Sequence, residues 1–337
     1  MHMRSLYAKN QYHLGLVLGF GALLWNGTYN ALAKGLTPYL SPISLLILSE
    51  ALTAFFILMT FGLVPLFREL RKTDARSIRI AACVGLLNSA ICPLLFFMGL
   101  TRTSAINASM LSSADILCVL IGARLLLKET LNRMQVLGGG IVLIGILVIN
   151  LASPDVSVSV HLGDAFILVG AMISGLGSVL FKKYLSHVMP ELAILIRNFA
   201  GIIAVAILGI FVQQSFAQEV AAFPLHKVFL LLAFAFFSRY LDLTFFYESL
   251  DRLPATTLSL IQIGTPLSGL FFAFLILGEQ IHSYQVLGCV FILFGMMLEQ
   301  TSERAFSSLR SHSALFHLAP GLSKSVDGNI AMLPKNV

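Results

Sequence analysis

Long apolar runs separated by short polar connectors make up most of the chain, and the runs are too long for soluble helices. A membrane span needs roughly 20 mostly apolar residues. Ten such runs lie at 13–33, 42–64, 77–99, 103–126, 132–150, 163–183, 190–212, 224–249, 253–277 and 283–299. Pro38, Pro42, Pro65, Pro154, Pro190, Pro224 and Pro254 fall at or near the breaks, as expected of a residue that lacks the helix N–H donor. Residues 1–12 precede the first run. Residues 300–337 are Ser-rich, contain Gly and Pro and show no apolar period, which predicts a poorly ordered tail. The pattern predicts an all-α transmembrane bundle of ten helices.

Composition agrees. Of 337 residues, 57% are hydrophobic and 11% charged, against about 45–50% and about 25% in soluble domains. The formal net charge of +6 does not mark a nucleic-acid face, because the basic residues sit in connectors between apolar runs. With the N-terminus inside, the cytoplasmic side receives Arg4, Lys9, Arg68, Arg71, Lys72, Arg76, Arg79, Arg124, Lys128, Arg133, Lys182, Lys183 and Arg252, and the tail adds four more. The outer side receives Lys34, Arg102 and Lys227. This asymmetry places both termini in the cytoplasm and predicts a multi-pass protein of the cell (inner) membrane. Cys83, Cys92, Cys118 and Cys289 all lie inside apolar runs without a C-x-x-C pair, and read as small buried hydrophobes.

The chain also repeats itself. A shift of 150 residues brings Leu100 onto Leu250, Arg102 onto Arg252, Glu129 onto Glu279, Gln135-Val136-Leu137-Gly138 onto Gln285-Val286-Leu287-Gly288, and Gly145 onto Gly295. Near the start of each half the shift is 148: His13-Leu14-Gly15 falls on His161-Leu162-Gly163, Gly27 on Gly175 and Pro42 on Pro190. The change fits a two-residue insertion in the loop between the second and third runs. Ala31-Leu32-Ala33 looks like a signal-peptide cleavage site, but the first run has an internal copy, which argues against removal. Five runs per half is an odd number, so the second half is expected to enter the membrane inverted. Inverted repeats are a recurring plan of secondary transporters.

The paired segments LLLKETLNRMQVLGGGIVLIG and LILGEQIHSYQVLGCVFILFG, with the stretch Ile263-Gly264-Thr265-Pro266, give the chain a resemblance to the EamA family of the drug/metabolite transporter superfamily over roughly 13–150 and 161–299. The resemblance implies a ten-helix fold whose central cavity is lined mainly by the first four helices of each half, with the fifth and tenth more peripheral. One departure is that Pro266 has Ile116, preceded by Asp115, as its counterpart in the first half.

Ionisable groups inside spans are costly and are functional candidates by default. Five lie well within the runs: Glu50, Asp115, Arg197, Arg239 and Asp242. Arg239 and Asp242, three apart, are expected to share a helix face and neutralise each other. Arg197 lacks an acid in its own run, leaving Glu50, Asp115 or a bound anion. Three acids and two bases leave one carboxylate in excess, expected to be Glu50 or Asp115. An unpaired carboxylate in a low-dielectric cavity can carry a proton or meet a cationic group, so H+ is the candidate coupling ion. Neutral polar residues recur at matching places. Asn26 and Asn30 match Ser174 and Ser178, Asn88 and Ser89 match Ser238 and Arg239, and Asn107, Ser112 and Asp115 match Thr257, Gln262 and Thr265. That recurrence predicts a shared polar path. Trp25, the single tryptophan, sits beside Asn26 inside the first run, suited to stacking on a substrate or to packing. Glu129 and Glu279 are expected to make capping or loop contacts.

No phosphate loop of the G-x-x-x-x-G-K-[ST] kind and no H-E-x-x-H motif occur, and nothing predicts a metal, a cofactor or an enzyme. The expected function is secondary transport of a small polar or amphipathic metabolite by alternating access. A lipid-linked flippase or a non-transporting scaffold is the alternative.

Overall fold

The computed structural model describes residues 2–128, 131–151, 158–185, 187–213, 215–250, 252–253 and 255–298. Pro154, Pro254, Glu129 and the 300–337 tail lie outside them. Among the described residues every regular element is helical. In order, the helices are α1 (His2–Leu36), α2 (Pro42–Phe61), α3 (Leu63–Lys72), α4 (Ala75–Leu100), α5 (Ala105–Leu126), α6 (Arg133–Leu151), α7 (Val158–Tyr184), α8 (Pro190–Phe211), α9 (Phe216–Ala222), α10 (Leu225–Ser249), α11 (Ala255–Gln262), α12 (Thr265–Leu277) and α13 (Ser283–Leu298). Among the described residues, seven helices are long and apolar enough to cross a membrane: α2, α4, α5, α6, α7, α8 and α10. The helices α12 and α13 are shorter but equally apolar.

Local chemistry sets the starts. The Ser41 hydroxyl accepts from the Ser44 N–H at 3.3 Å at the head of α2, and Ser104 accepts from Asn107 at 3.0 Å at the head of α5. Asp74 does the same for α4, accepting from Ser77 N–H at 3.0 Å. Each side chain fills an orphan donor of the first turn. Pro42, Pro190 and Pro266 sit in first turns, where no N–H is needed. The run expected over 42–64 ends at Phe61 instead. Gly62, at φ +77°, turns the chain out of α2 and straight into α3, a backbone state that a side chain at this position would strain.

Three irregularities interrupt spans that read as continuous. In α4, residues Leu86–Ile91 form a π-helical turn just before Pro93, and in α10 Phe234–Leu241 do the same before Asp242. The 150-residue shift superposes the two turns. In α5 a 3₁₀ turn at Ser112–Ala114 precedes Asp115. Its counterpart in the second half is the break between α11 and α12, so the expected run over 253–277 is two helices. The run expected over 13–33 lies within the longer α1.

The halves interlock. Helix α1 packs against α10, α11 and α12 of the second half, and α7 packs against α4 and α5 of the first. Glycines mark these contacts. A Cβ on Gly15 would meet Leu253 at 2.8 Å and Arg252 at 3.0 Å, while one on Gly163 would meet Arg102 at 2.9 Å and Thr103 at 3.1 Å. Shifting the first set by the repeat gives the second. Helices α6 and α13 close the other end of each half against one another. A Cβ on Gly145 would lie 2.8 Å from the Gly288 carbonyl oxygen, and one on Gly295 would lie 2.6 Å from that of Gly138. Residue numbers rise along one helix as they fall along the other, so the pair is antiparallel. Without hydrocarbon exclusion to drive association in lipid, such backbone approach through small residues is what holds helices together. The outward faces of α6 and α13, including Leu137, Leu143, Val290 and Phe294, are exposed.

The main buried core runs through α1, α2, α4, α5, α7 and α10, with Phe97, Leu100, Ile106 and Phe234 fully enclosed. A second cluster joins Ile57, Leu66, Val84, Leu192 and Tyr240.

Candidate functional site

Four of the five charged candidates, Glu50, Arg197, Arg239 and Asp242, lie where α1, α2, α8 and α10 come together, while Asp115 lies apart on α5 against α7. Glu50 on α2 is fully buried and forms an ion pair with Arg239, whose Nη1 also reaches Ser49 Oγ at 3.5 Å. Glu50 Oε2 accepts no hydrogen bond. Asp242 on α10 accepts from Asn26 Nδ2 at 3.0 Å. The expected Arg239–Asp242 pair is therefore not made. Positions three apart share a face in α geometry, but Arg239 lies inside the π turn, whose i→i+5 bonding puts more residues in each turn. That rotation turns Arg239 toward α2 and leaves Asp242 facing α1. Glu50 is accordingly not the excess acid, since it has a guanidinium of its own.

Repeat-equivalent residues make equivalent contacts. Shifting Glu50 by 148 and Arg239 back by 150 gives Asn198 and Ser89, and Ser89 Oγ donates to Asn198 Oδ1 at 3.5 Å. Shifting Asn26 and Asp242 in the same way gives Ser174 and Cys92, a hydroxyl and a thiol at the matching positions. Gly27 packs on Ser268, where a Cβ would come within 2.0 Å of the hydroxyl, and Gly175 packs on Asp115 and Cys118. The polar network is thus two-fold in position and one-sided in charge: the ion pair and the carboxylate–amide bond use one copy, and the matching positions of the other are neutral.

The remaining candidates fall around this network. Arg197 lies on α8 one residue before Asn198, close against Gly85 of α4, and its Nε has no hydrogen-bond partner. Asp115 stands at the start of the helical stretch after the 3₁₀ turn, with its backbone against Gly175. Trp25 stacks on Phe237, ring centroids 4.7 Å apart, and its buried Nε1 is unpartnered. Asn30 donates to Ser109 Oγ at 3.1 Å, leaving its own oxygen unpartnered. Gln262 accepts from Thr265 Oγ1 at 3.2 Å at the α11–α12 break, and its Nε2 is unpartnered. Ser174 faces the interior, whereas Ser178 is exposed and bonds back to the Ser174 carbonyl at 3.0 Å.

Thr28 and Tyr29 join the network without having been singled out from sequence. Thr28 and Ser238 share a 2.6 Å hydroxyl contact. Tyr29 packs edge-on against Phe234 at 5.2 Å. A cavity of about 20 Å³, room for about one water, lies between α2, α8 and α10, lined by Glu191, Tyr240, Thr244, Tyr247 and Glu248 among others. Asn198 and Cys92 were within reach of sequence reasoning: the repeat shifts applied to Glu50 and Asp242 name both.

Loop contacts tie the halves at their ends. Glu279 accepts from the N–H groups of Ala105 at 2.8 Å and Ile106 at 2.9 Å, capping α5 from the opposite half as a capping contact should. Gln285 accepts from His282 N–H at 2.9 Å and donates to Asn107 Oδ1 at 2.7 Å, while Gln135 accepts from Asn132 N–H at 2.8 Å. The first and last of these bonds are again repeat equivalents.

A helical bundle of two matching, interlocked halves, with polar side chains gathered between them and apolar faces outside, is a polytopic membrane transporter architecture. The chain belongs to the EamA-like transporter family, whose model matches residues 13–151 and 161–299, one match per repeat. It is similar to the uncharacterized transporter YyaM of Bacillus subtilis, with 26% identity over 289 residues covering 84% of this chain and 91% of that one. An uncharacterized transporter of Clostridium kluyveri is 24% identical over 243 residues, covering 71% of this chain and 77% of its own. A solved crystal structure shares the fold at a TM-score of 0.61 and 17% identity, covering 87% of this chain and 98% of that one.

Proposed function

We propose that the chain is a secondary carrier of the cell (inner) membrane, with ten spans, two inverted five-helix halves and both termini in the cytoplasm. It moves a small polar or amphipathic metabolite by alternating access. The observation that carries this reading is the paired network: Glu50–Arg239 against Asn198–Ser89, with the neutral Ser174 and Cys92 at the positions that match the Asn26–Asp242 bond. Equivalent contacts across an in-plane two-fold are what let two halves exchange inward- and outward-open shapes around one site. The breaks at Ser112–Ala114 and between α11 and α12 supply the discontinuous helices on which such sites are built.

Arg197 supplies the substrate contact in this reading. Its unpartnered Nε suits a carboxylate or phosphate, which a guanidinium can bind bidentately. Asp242, bonded to a neutral amide rather than to a base, and Asp115 are the groups assigned to proton coupling. A thermal-shift screen of the purified protein against metabolites at two pH values, followed by liposome uptake of each hit, tests the reading. A shift from an anionic ligand that disappears in Arg197→Ala is the expected result. A full shift in that variant would refute the anionic-substrate assignment, and uptake with unchanged pH dependence in Asp242→Asn and Asp115→Asn would refute proton coupling.

A further inference from the structure

The short helix α3 is unlike the rest of the bundle. Its sequence, LVPLFRELRK, is strongly amphipathic, and it is set off from α2 by the Gly62 turn. Leu66 is 2% exposed and anchors the helix to the second buried cluster, with half-buried Leu70 one turn on. The flank beside these anchors should be polar in a helix that only connects two spans. Instead Leu63, Val64 and Phe67 are 69%, 70% and 53% exposed, beside the exposed Arg68, Arg71 and Lys72.

These side chains enclose a shape. Leu63, Val64, Phe67, Arg68 and Arg71 line an open groove of about 410 Å³, within the roughly 300–1,000 Å³ range of small-molecule sites. The Arg71 guanidinium lies over the Phe67 ring at 4.6 Å, which pre-sets its direction at the junction of the apolar and basic walls. Lys72 is paired to Glu69 at 2.6 Å, so the acid of the helix is occupied by a residue outside the groove. Arg76 and Arg79, exposed on the following turns of α4, add to the positive potential nearby.

We propose that this groove is a binding site for an anionic phospholipid. Acyl carbons lie along Leu63, Val64 and Phe67, and the Arg68 and Arg71 guanidinium groups clasp the headgroup phosphate. Charge complementarity and the order of the walls select this occupant. An apolar band ending in two forked cations matches a molecule with a tail on one side and an anion on the other. The site is separate from the polar network between the halves, and it stands whether or not that network carries substrate.

The test is native mass spectrometry of the full chain released from mixed phosphatidylglycerol and phosphatidylcholine micelles, alongside Arg68→Gln/Arg71→Gln. A basic residue near an anionic surface is worth about fivefold in affinity. The wild type should therefore retain phosphatidylglycerol roughly twenty- to thirty-fold over phosphatidylcholine. The double variant should lose that preference while Arg133→Gln keeps it. All three substituted side chains are exposed, so folding is not at stake, and an unchanged melting temperature without lipid confirms it. Equal retention of the two lipids, or a preference that survives in the double variant, overturns the proposal. So does stabilisation by inorganic phosphate that matches phosphatidylglycerol and depends on the same arginines, which would make the groove a free-anion site.

Discussion

Replacing Glu50 by Asn while Arg239 stays leaves a guanidinium between α2 and α10 with no carboxylate to meet it. The magnitude follows from burial: the Glu50 side chain is 0% exposed and that of Arg239 is 13%. Removing one member of a buried ion pair costs about 3–5 kcal/mol, because the survivor is left uncompensated. The repeat supplies the repair. Asn198 and Ser89 occupy the equivalent positions and already face each other, so Glu50→Asn with Arg239→Ser installs a neutral pair that this framework accommodates elsewhere. Single substitutions should each destabilise by about 3 kcal/mol or more, and the double variant by much less than their sum. The expected coupling is about 2–3 kcal/mol, the upper part of the range for residues in contact. A double-mutant cycle of unfolding in detergent measures it. Trp25, the single tryptophan, stacked on Phe237 two residues before Arg239, reports the local transition by fluorescence. Additive losses, with the double variant as unstable as the sum of the singles, would refute both the pairing and its repeat equivalence.

Other outcomes follow from named contacts. Gly295→Ala places a methyl 2.6 Å from the Gly138 carbonyl oxygen and should cost about 1–3 kcal/mol by overpacking. Gly140→Ala, with nothing within 4 Å of the new carbon, should be neutral or stabilise by up to about 1 kcal/mol in the same melting assay. Glu279→Ala removes the acceptor of two N–H groups at the head of α5 and should cost about 1–2 kcal/mol, with faster amide exchange at Ala105 and Ile106. Hydrogen bonds from the Ser77 side chain, then from its N–H, hold the Asp74 carboxyl below its ordinary value of 3.8. A depressed acid stabilises the folded state above its unfolded pKa. The α4 cap should therefore be intact at neutral pH and weaken as pH falls below about 4 toward the folded value; Asp74→Ala should abolish that acid dependence of amide exchange at Ser77.

The apolar runs and the repeat were legible because both depend on properties every residue contributes, hydropathy and position in register. The antiparallel meeting of Gly138 with Gly295 and of Gly145 with Gly288 agrees with the odd number of runs per half. What escaped was local helix geometry. Reading Arg239 and Asp242 as one face assumes 3.6 residues per turn, and no composition signal marks the π turn at Phe234–Leu241, although Pro93 hints at its partner. The α3 helix was hidden because Leu63 and Val64 extend the apolar run of α2 without a change of hydropathy, and Pro65 reads as a break although it sits in the first turn of a new helix. The partners of Glu50 and Asp242 required the third dimension, since both contacts join opposite halves. The one clue in sequence was that polar positions repeat, and it located the network without saying who bonds whom.

The unequal chemistry of the two copies has an energetic consequence for a carrier of the proposed kind. Were the halves identical, the inward- and outward-facing shapes would be related by the two-fold axis and equal in free energy, and the empty protein would divide its time evenly between the sides of the membrane. With an ion pair at Glu50–Arg239 and only a 3.5 Å hydroxyl–amide contact at Ser89–Asn198, the exchange of shapes stretches a strong link in one direction and a weak one in the other. A difference of 1.4 kcal/mol already makes one state tenfold more populated. In a carrier of that kind the duplicated framework would provide the motion, and its divergence at these four positions would give the resting protein a preferred side.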